Sequence, residues 1–253
     1  MYRSDPVHPV YPVRFFDTVL QFLAMTSNLP PFFQPFWDLL ESTLFPWPST
    51  HAGGLPLWNP YRDADPRLER ADAAEVRREN LRRWLQSYTQ PPEFLLVGEA
   101  PGWRGGRFSG VPFTSEAQLA GGGLPSSGWL PFSGTPTSLS PRPYNEISAT
   151  LVWGAIRDQH PRCLAWNAVP LHPHPPGQPL ANRTPAAEEL ARFAPLLQQV
   201  AAALDPVQVI AVGRSALTSL AQAGVDARLV RHPAHGGANE FRSGLEAIVR
   251  SSA

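Results

Sequence analysis

The sequence predicts an α/β protein: a three-layer α/β/α sandwich on a short four-stranded parallel sheet, with a helical N-terminal extension packed against it. Three observations carry this prediction. From residue 93 onward, strand-like and helix-like segments alternate four times, the pattern of a parallel sheet with crossover helices on both faces. The runs at 93–98 (EFLLVG), 163–169 and 207–212 are nearly continuous in apolar residues, as strands buried on both faces must be. Each strand ends abruptly in polar or special residues: Glu99, Asn167, Gly213-Arg214 and His232.

The elements follow in chain order. Residues 14–28 and 34–45 read as two short aromatic-rich helices; Asp17, Val19, Leu20, Leu23 and Ala24 share a face of the first. The stretch from Thr43 to Tyr61 is broken by prolines and holds Trp47 and Trp58. Pro66 to Tyr88 reads as an amphipathic helix with Leu68, Ala71, Val76, Leu81 and Leu85 on its apolar side. Its alternating arginines and acids predict a solvated face laced with surface pairs. After the strand at 93–98, 17 of the 23 residues in 121–143 are Gly, Pro, Ser or Thr. This is a long loop, and its Trp129 and Phe132 are expected to tether it to the core. A helix is expected over 144–158, and a second strand over Cys163–Val169 presents Asn167. Pro185 to Leu204 is a helix opened by Thr184 as N-cap, Pro185 at the first position and Glu188 nearby. The third strand, 207–212, leads through Gly213-Arg214-Ser215 into a helix ending near Ala223. The fourth, 227–231, meets His232-Pro233, and a last helix runs from about Glu240 to Arg250. The chain divides into an extension, 1–92, and an α/β/α domain, 93–253, expected to form one compact unit.

Composition removes several chemistries. The chain has 253 residues, 43% of them hydrophobic, enough for a sizeable core. Its 30 prolines predict stiffened loops. All 21 basic side chains are arginine, so no lysine Schiff base and no Walker-type phosphate lysine exists. The formal net charge is zero, so binding to DNA would need a local basic patch. One cysteine, Cys163, excludes an intrachain disulfide framework and a four-cysteine metal or iron–sulfur site; inside a strand it reads as inert core. The N-terminus has no apolar signal core, and Phe15–Met25 is too short to cross a bilayer. The expectation is a cytoplasmic protein with no membrane partner and no cofactor. His172 and His174 invite a zinc reading, but no companion ligands complete a set.

In open parallel sheets, ligands bind beyond the carboxyl ends of the strands. Glu99, Asn167, Arg214 and His232 should therefore converge on one edge. Taken singly, each reads as a turn, cap or strand-end residue, and Phe113 as core; jointly they read as a site.

Those residues also carry a resemblance. Gly98-Glu99-Ala100-Pro101-Gly102 resembles motif A of the uracil-DNA glycosylase superfamily, as found in its thermophilic, iron–sulfur branch. Gly110-Val111-Pro112-Phe113 resembles that branch's base-stacking segment. Asn167 with Asn182-Arg183-Thr184-Pro185 resembles the strand asparagine and its NR-P element, and His232-Pro233-Ala234 the HPS motif. The four motifs stand in family order across residues 93 to 245.

The resemblance implies a uracil-DNA glycosylase-like fold and hydrolysis of the N-glycosidic bond of uracil, or of related deaminated bases, in DNA. It implies that Glu99 and His232 are catalytic, and that Phe113, Asn167 and the backbone of Ala100, Pro101 and Gly102 bind the flipped base. Arg104, Arg107, Arg214, Ser215, Arg231 and His235 would contact DNA. With no lysine amine, the enzyme would be monofunctional and leave an intact abasic site. It would be a monomer, working at a bacterial nucleoid without metal or iron–sulfur cluster. The sequence departs from the pattern at three points. Leu171 stands where the iron–sulfur branch has cysteine. Gly102 stands where another branch has a tyrosine that blocks the thymine methyl group. The segment after His232, AHGGANEF, lacks the leucine that wedges the duplex; His235, Asn239 or Phe241 are the candidates to replace it. Two rivals remain: a catalytically silent module binding DNA or damaged bases, and a hydrolase of free nucleosides or nucleotides.

Overall fold

Phe94–Gly98 carries no polar side chain, and it becomes the most heavily paired strand of the molecule. The computed structural model describes residues 28–50, 55–121, 130–205 and 207–252. In it β2 (Phe94–Gly98) lies between β3 (Cys163–Asn167) and β5 (Gln208–Val212), and β6 (Arg228–Val230) pairs beyond β5. All four strands are parallel, in the order β3-β2-β5-β6. Every residue of β2 and β3 is buried. Successive side chains of a strand point to opposite faces, so both faces of the central sheet are covered. The register sets Gly98 beside Asn167 and Val97 beside Ala211, so the strand ends fall on one line.

The described helices are α1 (Gln34–Leu39), α2 (Ala73–Gln86), α3 (Gly106–Ser109), α4 (Glu116–Leu119), α5 (Ile147–Ile156), α6 (Ala187–Ala203), α7 (Arg214–Gln222) and α8 (Ala238–Arg250). The first, α1, packs on α6 and α6 on α7, while α5 packs on α8.

The extension shares this core from Phe33 onward. Phe36 meets Trp166 of β3 edge-on at 5.1 Å, Trp47 lies 4.8 Å from Phe193 of α6, and the Tyr88 hydroxyl donates to the Cys163 carbonyl at 2.7 Å. Cys163 is itself buried, and burial pushes its thiol up to about 12. A two-stranded antiparallel sheet, unforeseen in the sequence, pairs β1 (Leu57–Trp58) with β4 (His172–Pro173).

Several boundaries differ from expectation. The helix expected over 14–28, and Trp129, lie outside the described residues. The helix expected from Pro66 starts at Ala73, because Asp65 accepts from the Arg67 backbone N–H and guanidinium and turns the chain. Its polar residues are not all solvated: Arg77 and Asn80 are buried, and Arg77 pairs with buried Glu69. The helix expected from Pro185 starts at Ala187. Glu189 accepts from the Ala186 N–H and pairs with Arg183, so Thr184 is not its cap. The last helix begins at Ala238. The described part of the long loop is pinned where the buried Glu116 carboxylate accepts from the backbone of Thr137 and Ser138. Phe132 packs on the core, 6.4 Å from Trp153.

Candidate active site

The turn after β2 is held from β3 and β4. Ala168 and Val169 donate their N–H groups to the carbonyls of Gly98 and Glu99 at 2.8 and 2.9 Å, and His172 Nδ1 donates to the Pro101 carbonyl at 2.9 Å. His172 is fully buried, which drops its pKa to about 3 and keeps it a neutral donor. Three carbonyls of the turn are thus taken up by the protein.

Above this turn lies a cavity of about 190 Å3. Glu99, Ala100, Pro101, Gly102, Phe113 and His232 line it, joined by Glu146, Ser148, Asn182 and Arg183. Glu99 is partly buried, and desolvation raises its carboxyl above the usual range against an opposing hydrogen bond from Ser215. Ser215 is therefore engaged by the carboxylate. Burial also lowers the pKa of His232, helped by nearby His235 and Arg231. Its Nδ1 accepts from the Ala234 N–H at 3.2 Å, so in the neutral ring the proton sits on Nε2. The site thus holds a carboxyl and a neutral imidazole with one defined donor.

Phe113 reaches the cavity through a strained turn. Its φ is 51°, in the left-handed region that a phenylalanine rarely adopts. Buried Ser109 holds the turn: its hydroxyl donates to the Thr114 carbonyl at 2.6 Å and accepts from the Val111 N–H at 3.1 Å. The ring tip lies over Gly98, where any Cβ would overlap it. Asn167 reaches the same sheet edge beside Gly98, but it is 5% exposed and stands outside the cavity lining.

A groove of about 560 Å3 adjoins the cavity, lined by Trp103, Arg104, Glu146, Ile147, Asn182 and His235 among others. Arg104 is exposed, its guanidinium 4.7 Å from the Trp103 ring. Arg214 is exposed at the start of α7, and exposed Arg231 lies 3.4 Å from Glu240. Arg107 is a correction. It is 1% exposed, with Nη1 2.6 Å from Glu69 and its guanidinium against the rings of Phe108 and Trp58, so it cannot meet DNA. Phe241 is also buried and cannot enter a duplex, whereas Asn239 and His235 are exposed.

Glu146, Ser148 and Ile147 were not expected from the sequence. Glu146 follows a Pro-rich loop and precedes α5, where it reads as an ordinary helix-start acid; no apolar strand points at it.

The family model of the uracil DNA glycosylase superfamily matches residues 85–248. The chain belongs to the uracil-DNA glycosylase superfamily. A crystal structure of wild-type SMUG2 from Pedobacter heparinus is similar in fold, with a TM-score of 0.60 at 13% identity, over 87% of this chain and 98% of that one. A search of the curated proteins found no match. The match takes in all four strands of the parallel sheet and each residue named above as lining the cavity. Membership of the uracil-DNA glycosylase superfamily places the chain in a family of DNA glycosylases.

Proposed function

We propose that this member of the superfamily is a monofunctional DNA glycosylase that hydrolyses the N-glycosidic bond of uracil, and of related deaminated bases, in DNA. The observation that carries the reading is the meeting of Glu99, Phe113 and His232 around one small cavity at the carboxyl edge of the sheet. A base within a duplex cannot reach such a cavity, so the nucleotide must flip out of the stack. Phe113, fixed on Gly98, offers a ring face for the flipped base. Asn167, at the same sheet edge but behind the cavity lining, would meet uracil O4 and N3–H only when the bound base reaches past that lining.

As the bond between C1′ and the base nitrogen breaks, its electron pair moves onto the base. His232 Nε2–H donates to O2 as that charge grows. The sugar becomes cationic, and the Glu99 carboxylate stabilises it and takes the proton of the attacking water. The water oxygen ends as the hydroxyl on C1′. The chain's amino groups are limited to the N-terminus, since it contains no lysine, so the abasic strand stays intact. Arg104, Arg214 and Arg231 are exposed cations for the phosphates. Ile147, 74% exposed in the groove beside Glu146, is the apolar side chain placed to enter the gap left by the flipped nucleotide.

The test is a panel of end-labelled oligonucleotides carrying uracil, hypoxanthine, xanthine or thymine opposite each base, with free deoxyuridine alongside. Alkali-dependent cleavage at uracil, with no scission before alkali, is expected. Cleavage of deoxyuridine alone would indicate a nucleoside hydrolase, and DNA binding without base release a silent module.

A further inference from the structure

Gly102 and Gly105 face a common neighbour. A Cβ on either would collide with the carboxyl group of Glu146: Oε1 fills the space at Gly102 and Oε2 the space at Gly105. Both oxygens therefore bear on the turn that forms one side of the base cavity. Glu146 and Ser148 also line both the cavity and the outer groove, so this segment is the partition between them. Asn182 also lines both spaces; its Oδ1 accepts from the Trp103 N–H at 2.8 Å and its Nδ2 lies 3.6 Å from the position of a Cβ on Gly102.

We propose that Glu146 determines base specificity: its carboxyl is the wall of the pocket on the side of Gly102 and Gly105, and it decides which bases fit. The inference rests on the reading of the cavity as a base pocket. A glycine leaves a gap in a pocket wall unless another side chain fills it; at Gly102 the Glu146 carboxyl fills it, with its second oxygen seated over Gly105 in the same turn. Burial pushes that carboxyl up, opposed by a hydrogen bond from Ser148, so it gives up its proton less readily than a surface glutamate. A wall that bears hydrogen-bonding atoms also reads the edge of what it touches, which a methyl-lined wall does not.

The experiment compares the excision rates of thymine and uracil, each opposite guanine, for wild type, Glu146→Ala, Glu146→Gln and the double variant Gly102→Ala/Glu146→Ala. One methyl group at a fitted wall is worth roughly 10- to 200-fold in discrimination. Glu146→Ala should therefore raise the thymine-to-uracil ratio by about tenfold or more. Glu146→Gln, nearly the same shape, should keep the wild-type ratio. In the double variant the new Cβ refills part of the space, so the ratio should move back toward wild type. An unchanged ratio in Glu146→Ala, or a shift in Glu146→Gln as large as that in Glu146→Ala, would overturn the proposal. The affinities of free uracil and thymine for the same proteins, followed by tryptophan fluorescence, give the ratio without catalysis. A wild type that binds uracil over thymine but releases no base would sink the glycosylase reading and leave the wall standing; a Glu146→Ala variant with unchanged binding preference would sink the wall.

Discussion

Burial moves Glu99 and His232 in opposite directions: the carboxyl holds its proton to higher pH than a surface glutamate, and the imidazole sheds its proton at lower pH than a surface histidine. The proposed reaction uses the carboxylate and the neutral ring. The value of kcat/KM should accordingly rise with pH through a Glu99 inflection above 4.5. Deprotonation of the His232 cation, shifted below the usual histidine range, adds to the same acid-side rise and leaves no fall at neutral pH. Glu99→Gln should remove the Glu99 part of that acid limb and cost roughly 10²- to 10⁴-fold in kcat, measured as single-turnover base release. His232→Ala should cost about 10²- to 10³-fold, as loss of one oxyanion donor does. Burial also makes both raised carboxyls unfavourable when ionised. A group whose folded pKa is raised adds stability at low pH and loses it as pH climbs through that pKa. Glu146→Gln should therefore be more stable than wild type at pH 8 but not at pH 4, read from paired urea titrations. Among these residues, Glu99 was legible because it stands just past an apolar strand, and His232 because it stands before Pro233 at the end of the last strand. Glu146 was not, because a pocket wall built from a loop leaves no periodicity behind it.

Between residues and fold, short elements decide where charges go. The four-residue α3 carries Arg107 into the core, where Glu69 and the rings of Trp58 and Phe108 enclose it, while Arg104, three positions earlier, stays on the groove. Sequence spacing could not separate the two, since both lie in one glycine-rich turn. Their variants should part cleanly. Arg107→Ala leaves buried Glu69 short of one partner and should lose roughly 3 kcal/mol or more of stability, with the salt dependence of DNA binding unaltered in the folded fraction. Arg104→Ala should leave stability unchanged and lower the slope of log K against log salt by about one, if it meets a phosphate. The start of α5 sets Ile147 outward beside the cavity. Ile147→Ala should slow excision from duplex by about tenfold, equivalent to 1.4 kcal/mol of lost wedge, and leave single-stranded substrate nearly untouched. Equal losses on both substrates would place Ile147 outside the flipping step.

The whole molecule follows from one repeated physical rule, that strands buried on both faces are apolar throughout and must be connected by helices. That rule made the parallel sheet and its carboxyl edge legible, because β2, β3 and β5 carry almost no polar side chain. It could not show the β1–β4 pair, two residues long and made from partners more than a hundred positions apart. Nor could it show that His172, set aside as half of a metal pair, anchors the turn after β2 through Pro101. That anchor has a cost in acid. With a folded pKa of about 3 against 6.5 when unfolded, His172 contributes stability above pH 6.5 that is lost as pH falls toward 3. The loss is on the order of 4–5 kcal/mol over that window, since each tenfold change in proton affinity is worth about 1.36 kcal/mol. His172→Asn should flatten this part of the stability profile.

The proposed function depends on one pocket, in which Glu99, Phe113 and His232 are assigned the joint removal of a flipped uracil by hydrolysis. Release of free uracil from a duplex under single-turnover conditions, by wild type and by Glu99→Gln, decides whether they perform it. The expected result is stoichiometric release by the wild type, an intact alkali-labile strand, and loss of release in the variant with folding preserved. A wild type that binds the duplex without releasing uracil, or a variant that releases it as fast, would contradict that role.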